Sequence, residues 1–429
     1  MGRDLGLARG WRLLVGLCAT AIVVLNPLPA AAANSLGLSA TYAVLADLNY
    51  AAGTISVRTT ATVTNSSGSS VGAVSFNVAP VRTGKATIGA VTVAGTAVTP
   101  TLADQTLTVS LATSLAPGAK TAIAISYSAT LSTDTIDKDW HLAKLRGIVM
   151  LYRWIPWLSR SVAFDRPNFG TPYVTGLSPS VTVTINADRP LTFATTGYQT
   201  LVSGNSYSFG ATNVRDFNVS ASPDYKVVTG SVGSIKVRVL YVSLPAAKML
   251  SYATKSLSTY ISQLGAYPYG RFTVAESGGG KAMESPAMIW INAGTTNVPY
   301  LVAHETAHQW FYGLVGSDQA AEPFADEAPT DFLARNLLAM RRSSKCPNVI
   351  LDKTVYQYSD ACYYEAIYIA GGNYINSYRQ KVGDTAFWQG MRNYIANYRF
   401  GMGGTTQFWA ALDAASGYTG GHADRFPSH

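Results

Sequence analysis

Between about Ser35 and Lys226, apolar residues alternate with Thr and Ser at period two, most plainly in Thr121-Ala122-Ile123-Ala124-Ile125-Ser126-Tyr127 and Val181-Thr182-Val183-Thr184-Ile185. Alternation sends successive side chains to opposite faces of a pleated strand, so this half of the chain is predicted to form strands with one buried face. Turn chemistry punctuates them at Asn65-Ser66-Ser67-Gly68, Pro117-Gly118 and Asp188-Arg189-Pro190, which predicts a mainly antiparallel arrangement. The aromatic run Tyr152-Arg153-Trp154-Ile155-Pro156-Trp157 reads as core or as a contact between domains.

The pattern changes after Thr229-Gly230-Ser231-Val232-Gly233. One more strand, Ile235 to Ser243, leads into a segment from Pro245 to Leu264 where Leu250, Ala253, Leu257, Tyr260, Ile261 and Leu264 recur at helical spacing, with Gly265 as a stop. Beyond it the chain reads mostly as helix, including Asp384 to Tyr398 and Thr405 to Ser416, each with an N-cap residue at its start. At 429 residues the chain exceeds the roughly 250–300 residues of a single core. The expected architecture is therefore α+β and multidomain: a β domain over 34–228 and a mainly helical domain over 229–429.

Ahead of both, Arg3, Arg9 and Arg12 precede an apolar run from Leu13 to about Leu25 and a small-residue exit, Ala31-Ala32-Ala33. This reads as a signal peptide, residues 1–33, cut after Ala33, since the run is shorter than the ~20 residues that span a bilayer. The expected product is secreted or cell-envelope associated and has no stable membrane span. Charged residues are 13% of the chain, against a norm of roughly 25%. Cleavage removes three Arg and one Asp and takes the formal charge from +8 to +6, an excess without the clustered basic stripe that nucleic acid requires. Cys346 and Cys362 remain, and an even count in an oxidising compartment predicts that they pair.

Chemistry concentrates in Val302-Ala303-His304-Glu305-Thr306-Ala307-His308-Gln309-Trp310-Phe311. Two histidines four apart on a helix project from one face and can share one Zn²⁺, and the intervening Glu305 then lies where a carboxylate can take a proton from an attacking water. The other histidines, His141, His422 and His429, have no comparable partner and read as surface or packing residues. A catalytic zinc takes a third protein ligand. Glu327 is the candidate, at the start of a second helix running to Met340 with Pro329 in its first turn; the alternative is an ordinary acid favoured at a helix N-terminus.

With eighteen residues between His308 and Glu327, and Gln-Trp-Phe after the second histidine, the chain resembles the M1 family of zinc aminopeptidases. Arg215-Asp216-Phe217, Ser222-Pro223-Asp224-Tyr225, Gly265-Ala266-Tyr267-Pro268-Tyr269, Ala282-Met283-Glu284, the zinc motif and Tyr368 appear in that family's order, from roughly Tyr152 to Gly417. The resemblance implies a saddle-like β domain followed by a thermolysin-like catalytic domain holding one zinc per chain. His304, His308 and Glu327 would be its ligands and Glu305 the general base. Tyr368, fifteen residues before Gly383-Asp384 and with Tyr363, Tyr364 and Tyr374 as competitors, would stabilise the oxyanion. Ala282, Met283 and Glu284 would form an edge strand along the substrate, with Glu284 gripping the free α-amine of a peptide. Small residues in Gly278-Gly279-Gly280 would leave room for substrate, whereas Lys281 stands where the family usually has glycine.

The implied activity is a secreted metallo-aminopeptidase acting on peptides with a free N-terminus. A zinc endopeptidase of the same fold is the alternative within hydrolases, and a non-catalytic cell-surface binding protein is the alternative outside them. Large family members add a helical domain over the active site; here Gly420 to His429 reads as unstructured, which predicts an open cleft or a roof supplied by a partner.

Overall fold

The structure is a computed structural model and describes residues 37–82, 86–134, 141–159 and 176–428. The apolar leader, its cut after Ala33 and His429 lie outside the described residues. Leu38–Asn49 pairs antiparallel with Thr54–Asn65 and parallel with Ser178–Ala187 at the centre of an eight-stranded sheet. Its alternation is expressed as burial, with Tyr42, Val44, Ala46 and Leu48 inside and Leu45 outside. Two four-stranded sheets accompany it, and one apolar core extends from Ala40 to Ala221 through all three. The aromatic run is buried as expected: Tyr152, Trp154 and Trp157 are nearly inaccessible, and Trp154 donates its indole N–H to the Phe217 carbonyl at 2.8 Å.

Next the chain builds a five-stranded sheet in the order Lys226–Val232, Ile235–Tyr241, Arg271–Ser277, Met288–Asn292, Met283–Ser285. The chain after Leu264 is mostly helix, as expected, but two strands that the pattern did not reveal, Arg271–Ser277 and Met288–Asn292, come first. Arg271–Ser277 and Met288–Asn292 are buried on both faces, so neither shows the alternation of a half-exposed strand, and Met288 to Ile291 is apolar throughout. Met283–Ser285 is the sheet's edge and pairs only with Met288–Asn292.

The helices then pack against this sheet. Ala246–Leu264 buries Met249, Ala253, Leu257, Tyr260 and Leu264 and ends at Gly265, whose φ of 102° suits glycine. Asp384–Tyr398 and Thr405–Ser416 form where expected, but glycines occupy both N-cap positions. For the second, Glu322 accepts the Thr405 N–H at 2.6 Å and Gln407 accepts the Gly404 N–H at 2.9 Å, so a residue distant in sequence does the capping. Cys346 and Cys362 are joined by a disulfide. No helix among the described residues is long and apolar enough to cross a membrane.

The segment after Gly420 is also corrected: it is packed, not unstructured. Phe426 is fully buried with its ring 4.7 Å from that of Phe324, while His422 stacks on Trp409 at 4.1 Å and bonds Asp413. Two anchors among glycine, proline and polar residues are too sparse to register as a period. His141 is likewise a packing residue, stacked on Tyr152.

Phe426→Ala is expected to cost about 3–5 kcal/mol in denaturant unfolding, the usual loss for emptying a buried aromatic site. A second expectation concerns Glu276, whose carboxylate accepts the N–H groups of Val242, Ser243 and Leu244 at 2.7–2.8 Å. Burial opposes ionisation, but these bonds and the Ser243 hydroxyl outweigh it and hold the carboxyl below its ordinary value of 4.5. Its stabilisation is therefore fully present above about pH 4.5 and is lost as pH falls through the depressed value. Unfolding measurements should show wild type more stable than Glu276→Gln at pH 7, with the gap closing towards pH 3.

Candidate active site

The helix Val298–Ala307 carries His304 and Glu305 and closes at His308. The two imidazoles meet edge to face with ring centres 4.9 Å apart. His304 is held between the rings of Tyr300 and Tyr368, at 5.6 and 5.5 Å and nearly parallel to both. Stacking orients it, because its buried Nδ1 has no hydrogen-bond partner among the described residues. His308 is fixed by bonding instead: its Nδ1 lies 2.9 Å from the Phe311 carbonyl and 3.1 Å from Asp326 Oδ1, which leaves Nε2 facing inward.

Glu327 enters from the helix Pro323–Leu338. That helix begins earlier than expected, so Pro329 lies in its second turn. Glu327 Oε2 stands 3.1 Å from His304 Nε2 and 3.5 Å from His308 Nε2. One donor atom each from His304, His308 and Glu327 falls within a mutual 4.8 Å. Two imidazole nitrogens and a carboxylate oxygen are the donor set of a catalytic zinc, and the chain's residues fit that ion. The surroundings favour positive charge: burial alone would lower the His308 pKa, yet Asp326 and Glu327 raise it well above its ordinary value. Burial likewise works against the Glu327 carboxylate, but His304 and His308 hold its pKa well below the usual range.

Glu305 and Glu284 form a second group with His308, again with donor atoms within 4.8 Å. Burial dominates at both carboxyls, raising Glu305 well above its ordinary value and Glu284 to about 7. Glu284 sits on the edge strand, which Gln309 clamps to the histidine helix. The Gln309 amide accepts the Ala287 N–H at 2.8 Å and donates to the Ser285 carbonyl at 2.9 Å. The glutamine of the Gln-Trp-Phe run thereby sets how far Glu284 stands from the histidines.

Tyr368 lies on a helical stretch, Glu365–Ala370, wound with π-type bonding between Asp360–Tyr364 and Gly371–Val382. Burial, then the Glu327 carboxylate, push its phenol well above the ordinary value, so it stays protonated. Tyr363 and Tyr364 line the same cleft, but Tyr364 is engaged by Arg335 at 3.0 Å. Tyr374 is elsewhere, bonded to His422 and Asp424. A Cβ at Gly371 would stand 2.8 Å from that of Ala328, so this glycine lets Tyr368's helix close on the Glu327 helix.

His304, Glu305, His308, Glu327, Glu284 and Tyr368 line one cleft of about 520 Å³, together with Ala282, Met283 and Gln319. Lys281 and Tyr364 are exposed at its rim, so the cleft opens to solvent. Lys281 makes no ion pair with Glu284 or any other acid among the described residues. Two of the glycines before it have internal reasons: a Cβ at Gly278 would collide with the Leu145 carbonyl, and Gly280 has a φ of 77°.

Three contributors escaped the sequence reading. Gln319 donates to Asp326 at 2.7 Å and to Glu284 at 3.2 Å. Asp326 orients His308, and buried Arg153 stands 3.7 Å from Asp216, which accepts from the Tyr312 hydroxyl at 2.5 Å. The one available signal was adjacency: Asp326 precedes the suspected ligand, and Arg153 is the lone charge in an apolar run.

No known family profile matches the sequence, and no curated protein does. Solved structures do. An M1 zinc metallopeptidase mutant from Deinococcus radiodurans superposes with a TM-score of 0.71 at 17% identity, over 90% of this chain and 92% of that one. The chain has the M1 zinc metallopeptidase fold. A two-domain M1 zinc metallopeptidase mutant bound to L-arginine gives 0.69 at 19% identity over 88% and 91% of the two chains. The Deinococcus radiodurans M1 enzyme mutant bound to a Tyr-Ser-Ala substrate gives 0.69 at 17% over 90% and 92%. The M1 fold accounts for the mixed architecture: a large N-terminal β region followed by a mainly helical region.

Because Asp326 fixes the His308 ring from behind, Asp326→Ala is expected to weaken zinc binding about 10- to 100-fold. Competition against a graded chelator, with bound zinc read by elemental analysis, measures it.

Proposed function

We propose that this chain is a secreted zinc aminopeptidase that removes residues from the free N-terminus of peptides. The observation that carries the reading is the position of Glu284: a buried carboxylate on an edge strand, within 4.8 Å of donor atoms of both His308 and Glu305. A carboxylate there meets the α-ammonium of a peptide whose first carbonyl lies over the metal position, and fixing the amine fixes the scissile bond.

His304, His308 and Glu327 would hold the zinc, which supplies a Lewis acid that polarises the scissile carbonyl and lowers the pKa of a water. Glu305 takes the proton from the attacking water and passes it to the leaving amine, which restores the base for the next turnover. Tyr368, kept protonated, donates a hydrogen bond to the negative charge developing on the carbonyl oxygen. Gln319 and Gln309 hold Glu284 in place, and Asp326 keeps the His308 Nε2 lone pair directed inward.

Secretion is part of the same proposal. It is supported by the basic, then apolar, then small-residue order of residues 3 to 33 and by the Cys346–Cys362 disulfide, which belongs to an oxidising compartment.

A panel of aminoacyl-aminocoumarins and their N-acetylated counterparts tests the activity. The free-amine substrates should be hydrolysed and the acetylated ones refused; chelation should abolish turnover and zinc restore it. Glu284→Ala should lower kcat/KM on free-amine substrates by about 100-fold or more, through loss of a charge-assisted contact that also positions the bond. Glu305→Gln should lower kcat by at least about 1,000-fold with zinc still bound, upper-range for loss of a general base. Cleavage of acetylated substrates would make the protein an endopeptidase, and zinc-loaded protein inert on every substrate would make it a binding protein.

A further inference from the structure

The cleft is electrically lopsided along its length. Glu284, Glu305, Asp326 and Glu327 line its inner part, and Gln319 closes that end against Glu284. Lys281 lies at the outer rim with Asn292 and Leu301, and among the described residues it is the one Lys or Arg lining the cleft. Lys281 is exposed and makes no ion pair among the described residues, so its charge is available to a ligand.

Three further facts give the lysine a position relative to a bound peptide. Met283–Ser285 is an edge strand, and Lys281 precedes Glu284 by three residues on the segment leading into it. Three extended residues span about 10 Å. With the amine held at the buried end, the remainder of a substrate lies towards the exposed rim, which Lys281 lines. A tripeptide lying extended from Glu284 places its C-terminal carboxylate about 10 Å from its amine, level with Lys281. The flexible lysine stem adds tolerance of one residue on either side.

We infer that Lys281 receives the C-terminal carboxylate of short peptides, making di- to tetrapeptides, and tripeptides above all, the preferred substrate class. The inference rests on the aminopeptidase reading above. The inner carboxylates repel a substrate's carboxylate and attract its ammonium, while Lys281 does the reverse, so a short zwitterionic peptide is drawn in amine first. A long peptide has no charge at that point and gains nothing from it.

The test compares kcat/KM for trialanine, trialanine amide and an alanine-rich octapeptide, each with a free N-terminus, at low and high salt. Wild type should favour the acid over the amide by about three- to fivefold, the size expected of a partly exposed ion pair. The preference should appear in KM and shrink as salt rises. In Lys281→Gln the acid-to-amide ratio should fall to about one; Lys281→Arg should retain it and Lys281→Glu should invert it. A merely structural role for Lys281 would change both substrates alike. Equal rates on acid and amide in wild type, or an unchanged ratio in Lys281→Gln, overturn the inference and leave the aminopeptidase reading standing. Failure to cleave any free-amine substrate, aminoacyl-aminocoumarins included, overturns both.

Discussion

Burying a carboxylate is costly unless a proton, a cation or hydrogen-bond donors accompany it, and this constraint governs the molecule's centre. The chain is poor in acids, yet Asp216, Glu284, Glu305, Asp326 and Asp331 are all nearly inaccessible. Most have built-in compensation. Arg153 faces Asp216, Arg335 grips Asp331 at 2.8 Å, and His308 with Gln319 serves Asp326. Glu305 accepts no hydrogen bond among the described residues and has only the nearby His308 to offset its burial, which raises its carboxyl well above the ordinary value. The least compensated acid is thus the one assigned to proton transfer, and the others form the frame around it.

That frame draws on both halves of the chain. Arg153 and Asp216 come from the β-rich part, Tyr312 and Gln319 from the loop after the histidine helix, and Ser285 links to Thr196 and Asp216 through its hydroxyl. Arg215 reaches the Gly401 carbonyl from the opposite direction. The site is consequently not a property of the HExxH helix alone. Gln309 sets its width, and the polar network beneath Glu284 sets its depth.

Much of this was legible because it depends on local spacing. Two histidines four apart, a carboxylate with eighteen residues intervening and long helical periods are written in consecutive residues. The helices Asp384–Tyr398 and Thr405–Ser416 follow their patterns to the residue. What escaped depends on partners distant in sequence. Arg271–Ser277 and Met288–Asn292 are short strands covered on both faces, and such runs have no period to read. Glu322 caps a helix more than eighty positions later, and Gly278 and Gly280 answer to Leu145 and to a left-handed backbone turn. Tyr368 lies between: its register was readable, whereas its placement depends on the π-wound turn that aims it at His304.

The packing of Phe426 onto Phe324 bears on the order in which the site is assembled. Phe324 opens the helix that carries Glu327, so that helix is not clasped until Phe426 has been made and delivered. Such a contact is non-local, and its loop must close before it rewards the chain, so the bracing of the Glu327 helix depends on a segment roughly a hundred positions further along. The seating of Glu327 is in this sense a product of tertiary closure, not of the helix that carries it.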